Sequence, residues 1–256
     1  MAAFYVNSPV RPDGPLLAGR NRLTHLIGGG SQGVVLVGRD LTDQRDVAVK
    51  MFDPTERTID DCVSEARALG TLESPHIVKC HGIGFADGTA YMVFERIDGP
   101  AVQMHRQATP FGRPTSREAA RITLSVLAAL AECHDKGLVH GSPHQNNVML
   151  RGGVEPVLID FGRVLPIGAT DKATPTRDVA EARQLLNTLL TGHTPHAPGQ
   201  SEQLLLLEGC AAGLMAAMGI DGALAAIAIR ALNRDQAARY QDAGAMRREL
   251  AAHPLA

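Results

Sequence analysis

Apolar positions along this chain change their period once, near Asp98. Before that point they come in short β-branched runs, and Leu23 to Ile27, Val34 to Val37 and Val47 to Phe52, separated by glycines or charged turns, predict three successive strands. Between Arg57 and Leu72 the period is helical, because Ile59, Val63, Ala66, Leu69 and Leu72 recur at spacings of three and four. Gly70 weakens only the last turn. Two further runs, Ile77 to Phe85 and Ala90 to Phe94, predict a hairpin around Asp87-Gly88. After Gly99-Pro100 the helical period dominates, most clearly from Ser116 to Lys136, and is interrupted by two short apolar runs, Val148 to Leu150 and Pro156 to Ile159. Residues 1–17 carry Pro9, Pro12, Gly14 and Pro15 without any apolar period and are expected to form a flexible leader. The expected organisation is a leader over 1–17, a small strand-rich part with one helix over 18–98, and a larger helical part over 99–254.

Composition narrows the function classes without choosing among them. With 45% hydrophobic and 20% charged residues the chain has enough apolar surface for a core. Its 25 Lys+Arg against 27 Asp+Glu are too balanced for an electrostatic grip on nucleic acid, so any bound anion is small and held locally. Aromatic residues at 4%, with no Trp, argue against a base-stacking surface. Cys62, Cys80, Cys133 and Cys210 form no CxxC pair and are expected to be reduced thiols, in neither a disulfide frame nor a zinc site. The N-terminus shows no cleavable secretory signal. The most apolar tract, Leu204 to Leu232, is broken by Glu208, Asp221 and Arg230, and its charge-free runs fall short of the roughly 18 residues a bilayer span needs. It is expected to form buried helices. These features suit a soluble cytoplasmic protein and are equally compatible with delivery into a host cell.

Candidate chemistry starts at Gly28-Gly29-Gly30-Ser31-Gln32-Gly33-Val34-Val35, which fits GxGxxGxV between two predicted strands. Residues without side chains there let backbone N–H groups approach phosphate oxygens. A strand follows the loop, which rules out the dinucleotide-binding fingerprint, since that needs a helix. Taken alone, the match also describes a plain glycine hairpin. Val47-Ala48-Val49-Lys50 then sets a lysine at the end of an apolar strand, where an ammonium is costly unless it meets anions. Glu65, expected on the polar side of the Arg57 to Leu72 helix, offers one counter-charge and nucleotide phosphates the other. An edge lysine and a solvated glutamate are the plainer readings of these two residues.

In this order and spacing the residues resemble the eukaryotic-like serine/threonine protein kinases of bacteria. The stretch from Leu17-Ala18-Gly19-Arg20 through the glycine loop to Val47-Ala48-Val49-Lys50 is similar to that family's opening. Ser74-Pro75-His76-Ile77-Val78 resembles its helix-to-strand connection, and Tyr91-Met92-Val93-Phe94-Glu95 its strand before the hinge. The likeness extends from about Leu17 to Leu250. It implies a two-lobed α+β fold, with an antiparallel-sheet N-lobe carrying one helix and a larger helical C-lobe, holding ATP in the cleft between them. It further implies that Gly28, Gly30, Gly33, Val35, Ala48, Lys50 and Glu65 belong to the nucleotide site, that Phe94 is the gatekeeper, and that backbone at Glu95 and Ile97 bonds adenine.

Downstream, His134, the run His140-Gly141-Ser142-Pro143-His144-Gln145-Asn146-Asn147, and Ile159-Asp160-Phe161-Gly162 follow the kinase order of helix-end histidine, catalytic loop and metal-binding DFG. The resemblance makes Asn147 and Asp160, both hard oxygen donors, the Mg²⁺ ligands. The pattern breaks at Ser142, where a kinase has the aspartate that accepts the substrate hydroxyl's proton. Serine is a poor base near neutrality, and general base catalysis contributes about 10²–10⁴-fold, so its loss impairs transfer while leaving electrostatic and positioning effects in place. His144 stands where many kinases carry a lysine. It can donate to phosphate, act as a substitute base, or be an ordinary loop histidine. Gly141 replaces the arginine that often anchors an activation-loop phosphate, only fifteen residues separate Gly162 from Asp178, and no A-P-E closes the segment. Asp178 is expected to accept backbone N–H bonds from the catalytic loop or simply to cap its helix, and the activation-segment glutamate that the family pairs with Arg239 is not apparent in the sequence.

Three functions stay open at this stage. One is an impaired kinase moving phosphoryl from ATP to a protein hydroxyl. Another is a non-catalytic pseudokinase acting as a nucleotide-dependent binding or scaffold module, and the third is nucleotidyl transfer with a different ATP pose. The expected cofactors are ATP and Mg²⁺, with an unidentified protein substrate or partner.

Overall fold

The computed structural model describes residues 14–30, 32–192, 208–233 and 235–254. Two compact units compose the chain: the first runs to Asp98 without Ser74–Ile77, and the second begins at Gly99 and takes in those four residues. Most of the proposed leader, residues 1–13, lies outside the described residues. Its end does not: Leu16–Leu17 (β1) pairs antiparallel with Asn21 and Arg22.

The first unit is one antiparallel sheet with a single helix. Strands β2 (Asn21–Gly30), β3 (Gly33–Asp40), β4 (Arg45–Phe52), β5 (Cys80–Ala86) and β6 (Thr89–Glu95) join β1 in the order β1-β2-β3-β4-β6-β5. Alternation along β4 explains which face does what. Val47 and Val49 point into a core with Leu17, Leu23, Tyr91 and Val93, while Ala48 and Lys50 are half-buried on the opposite face. Helix α1 (Ile59–Leu69) is two residues shorter at its start than the apolar pattern suggests. The reason is local: backbone N–H groups of Glu56 and Arg57 fold back onto Asp53 O, and Thr58 with Asp61 makes a reciprocal capping box.

In the second unit, helix α2 (Val102–Gln107) and a single 3₁₀ turn (Pro110–Gly112) lead into α3 (Ser116–Asp135). A capping box between Thr115 and Glu118 starts α3, and Ala119, Ile122, Val126, Leu127, Leu130 and Cys133 form its buried face. Strands β7 (Leu138–Val139) and β10 (Leu165–Pro166) pair with each other, as do β8 (Val148–Arg151) and β9 (Glu155–Leu158). Helices α4 (Pro175–Thr191), α5 (Glu208–Ala217), α6 (Gly222–Leu232) and α7 (Ala243–Ala251) complete the unit, with α3 packing on α4, α7 and β9. Ser74–Ile77 joins this unit through backbone pairing with β9: Leu158 N–H donates to His76 O at 2.7 Å, and His76 Nδ1 donates to Pro156 O at 2.9 Å.

The apolar C-terminal tract forms α5 and α6, whose Met215, Leu224, Ile227 and Ala231 are buried, while 204–207 lie outside the described residues. No helix among the described residues is long and apolar enough to cross a membrane. Cys62, Cys80 and Cys133 are free, and burial raises all three thiols, Cys133 to about 12, which keeps them protonated and inert.

Candidate functional site

The glycine stretch folds as the tip of the β2–β3 hairpin. Gly28 pairs with Val35 and Gly30 with Gly33, across a turn whose Ser31 lies outside the described residues. Gly33 is irreplaceable for a steric reason: its φ is +135°, and a Cβ there would stand 2.0 Å from Met51 O. Gly30 has open space around it, which leaves room for a ligand to reach its backbone.

Lys50 lies opposite Val35 on β3 and Met92 on β6. Its Nζ donates to Gln32 Oε1 at 3.4 Å and sits 5.1 Å from the Phe52 ring centroid. The Arg57 guanidinium is also 5.1 Å from that ring's centroid, so two cations contact one aromatic ring.

Glu65 departs from expectation. It does not sit on a polar helix face but is buried with Cys62 and Leu69, three before and four after it, on the side of α1 turned to the sheet. Arg57 Nη2 donates to Glu65 Oε2 at 2.8 Å, with both side chains almost wholly enclosed. A carboxylate survives there because a guanidinium accompanies it. Periodicity set Arg57 at the start of the helix but could not show this pairing, because the residue precedes the Thr58 cap and belongs to no repeat.

On β6, Phe94 is buried and pairs with Ala48 across the sheet. The Glu95 N–H is committed to Lys79 O at 2.9 Å, and Glu95 Oε1 accepts the Lys79 N–H at 2.9 Å. Any adenine contact at Glu95 must therefore use its carbonyl. Ile97 is buried just beyond the strand.

The second unit builds the loop from His140 to Asn147 around buried polar groups. Asp178, wholly buried, accepts the backbone N–H of His140 at 2.8 Å and of Gly141 at 2.7 Å, and the His134 Nε2–H at 3.0 Å. It lies inside α4, whose N-cap is Thr174, so its role is to hold the loop and not to cap the helix. His140 Nδ1 accepts the Ser142 N–H at 3.2 Å, which leaves Nε2 to donate to Ile159 O at 3.2 Å. Burial lowers the His140 pKa despite the opposing charges of Asp178 and Asp160, so the ring is neutral.

Within this frame Ser142 is buried. Asn147 Nδ2 donates to Ser142 O at 3.0 Å and to Ser142 Oγ at 3.3 Å. With its amide nitrogen so engaged, Asn147 offers its carbonyl oxygen as the ligand-type atom. The backbone of Asn147 also receives the Ile159 N–H at 2.8 Å, tying the loop to the residue before Asp160. Asp160 itself holds a left-handed φ of 62°, a strained conformation for a residue with a side chain. A carboxylate and an amide carbonyl are the hard oxygen donors that suit Mg²⁺. His144 is solvent-exposed overall, while partial desolvation of its ring lowers its pKa against the pull of Asp160.

Gly141 explains one absence in the sequence. Its φ is +83° and a Cβ would meet Arg163 O at 3.0 Å, so any side chain at this point, an arginine included, would be strained. After Phe161, whose buried ring makes an edge contact with His140 at 4.5 Å, the segment pairs through β10 with β7. It then closes on itself, with Gly168 N–H donating to Ala173 O at 2.9 Å, before α4 begins. Arg239 Nε donates to Asn233 O, while Arg234 lies outside the described residues.

Comparison with known proteins agrees with this geometry. The family described as Protein kinase domain matches residues 22–181, more than half of the chain. Serine/threonine-protein kinase PknE of Mycobacterium tuberculosis is 32% identical over 151 residues, covering 56% of this chain and 26% of that protein. Serine/threonine-protein kinase PrkC of Bacillus subtilis is 25% identical over 161 residues, 61% of this chain and 24% of that protein. PknD of Mycobacterium tuberculosis is 29% identical over 150 residues, 56% of this chain and 22% of that protein. The match thus spans about a quarter of the length of these relatives.

Proposed function

Because the chain belongs to the protein kinase domain family, we propose that it binds ATP with Mg²⁺ and is a serine/threonine kinase-like phosphotransferase whose transfer to a protein hydroxyl is impaired at Ser142. In this reading the backbone of the Gly28–Gly33 hairpin and Lys50 receive the phosphates, Val35, Ala48 and Phe94 border the base, and Glu95 and Ile97 bond it through backbone groups. Asn147 and Asp160 hold Mg²⁺, which when bound offsets charge on the phosphates. The supporting observation is the state of the His140–Asn147 loop. The bonds that shape it are present, from Asp178 beneath it to the Asn147 bonds onto Ser142, while the position of the proton acceptor holds a serine.

A serine hydroxyl can orient an acceptor but does not take its proton near neutrality. That loss slows transfer by about 10²–10⁴-fold. His144 supports residual activity, since a neutral imidazole keeps a lone pair for a proton or a donor for phosphate.

A second reading, a nucleotide-dependent pseudokinase that binds a protein partner, is favoured by Gly141 and by the short segment closed between Gly168 and Ala173. Labelling with γ-³²P and α-³²P ATP tests both, on the native protein, Ser142→Asp and Asp160→Ala. γ-Label transfer that is lost in Asp160→Ala and raised in Ser142→Asp supports the impaired kinase. Nucleotide binding without transfer by either active-loop form supports the pseudokinase, and transfer of α-label alone gives nucleotidyl transfer.

A further inference from the structure

Arg106 on α2 is a guanidinium that the fold encloses, at 8% exposure, and it reaches three separate parts of the second unit. Its Nη1 donates to Gly112 O at 2.9 Å, in the 3₁₀ turn, and to Gly192 O at 2.8 Å, at the C-cap of α4. Carbonyls at the end of a 17-residue helix carry partial negative charge, which offsets part of the cost of burying the cation. Its Nε donates to Gln145 Oε1 at 3.1 Å, and Gln145 belongs to the His140–Asn147 loop. Helix α2 holds the same residue a second time. Ala101, at the N-cap, has no side-chain oxygen to offer, and the first-turn N–H of Gln103 donates instead to Gln145 O at 3.2 Å.

Whatever fixes Gln145 also fixes its neighbours. His144 N–H donates to Ser142 O at 2.9 Å, Asn147 N–H to His144 O at 2.8 Å, and Asn147 Nδ2 to Ser142 O at 3.0 Å, so residues 142–147 form one hydrogen-bonded turn. A shift of Gln145 is therefore carried to Asn147, two residues on. Helix α4 thus holds the loop twice, directly through Asp178 at its entry and through Arg106 near its exit. We propose that Arg106 is a positioning residue: through Gln145 it sets where Asn147 presents its carbonyl oxygen, and so how tightly the loop holds a divalent cation. This rests on the reading of Asn147 as a Mg²⁺ ligand. The bonds to Gly112 O and Gly192 O only join α2 to the turn and to α4, whereas the bond to Gln145 reaches the site. Hydrogen-bonded partners behind a metal-binding side chain act on affinity through its orientation.

Two measurements on the full chain test this, with the native protein, Gln145→Leu, Gln145→Glu and Arg106→Met. Gln145→Leu removes the bond to the loop and leaves Arg106 on Gly112 O and Gly192 O, while Gln145→Glu keeps an acceptor for the guanidinium. Hydrogen exchange read by mass spectrometry reports on the loop without any ligand. Peptides covering 142–147 are expected to exchange faster in Gln145→Leu and Arg106→Met and at native rates in Gln145→Glu, with α1 peptides unchanged throughout. Calorimetric titration with ATP reads the consequence: the gain in affinity from MgCl₂ over EDTA is expected to fall about tenfold in Gln145→Leu and Arg106→Met and to persist in Gln145→Glu, at constant Kd in EDTA. Should Arg106→Met fail to fold, Gln145→Leu against Gln145→Glu carries the same comparison. Native exchange rates in Gln145→Leu overturn the proposal, as does a Gln145→Glu variant impaired as much as Gln145→Leu, or a Kd that rises equally in MgCl₂ and EDTA. Equal Kd in MgCl₂ and EDTA for the native protein overturns instead the Mg²⁺ reading beneath it, and the exchange rates still decide whether Arg106 holds the loop.

Discussion

Asp178 and His140 meet through a backbone bond: Asp178 Oδ2 accepts the His140 N–H at 2.8 Å, while Oδ1 takes the next N–H, of Gly141, at 2.7 Å. One buried carboxylate on α4 thereby fixes the entry of the loop that carries Ser142 and Asn147. Charge-assisted bonds of this kind contribute more than neutral ones, and removing the acceptor strands buried donors. Asp178→Ala should lower unfolding stability by about 3 kcal/mol, read as a reduced urea midpoint at unchanged m-value.

His140 makes stability depend on pH. Its pKa is lowered in the folded state by burial, so the unfolded chain binds a proton more readily as pH drops. Stability contributed by the neutral ring is complete well above the ordinary histidine value of 6.5 and is lost progressively as pH falls through and below it. Geometry agrees in sign, because a proton on Nδ1 would confront the Ser142 N–H. Urea midpoints from pH 8 to pH 5 should decline below about 6.5, and more steeply than in His140→Phe.

Two glycine substitutions separate steric exclusion from missing charge. Gly33→Ala should cost about 2–3 kcal/mol, since its Cβ would collide with Met51 O on the adjacent strand. Gly141→Arg should destabilise by about 1–3 kcal/mol and create no phosphate anchor, because φ at this position is +83° and Arg163 O blocks the side chain's path. Differential scanning calorimetry of both variants gives the comparison.

Asp160 is the carboxylate expected to hold Mg²⁺. Thermal shift by ATP should be larger with Mg²⁺ than with EDTA in the native protein, and Asp160→Asn should abolish that difference while leaving the shift in EDTA intact.

The elements were legible wherever one period prevailed. Val47 and Val49 alternate with Ala48 and Lys50, so one strand shows a core face and an opposite, half-buried face in the sequence itself. α3 advertises its buried side by spacings of three and four. Glu65 was harder, because a charged residue among Ser64, Arg67 and Asp61 suggests a solvated face, and only the packing of α1 on the sheet, with Arg57 beside it, turns that carboxylate inward. Arg106 was hidden for a similar reason: a lone arginine on a helix looks exposed until its neighbours enclose it.

Order and spacing alone determined the architecture, the glycine hairpin, Lys50, the His140–Asn147 loop and the substitution at Ser142, because each depends on residue type at a fixed distance along the chain. Tertiary structure decided which charges are buried and what accompanies them: Arg57 on Glu65, and Asp178 under two backbone N–H groups. The physical reason is solvation. A side chain's cost and chemistry depend on how much water surrounds it and which partners replace that water, and both are set by residues distant in sequence that only the folded chain brings near.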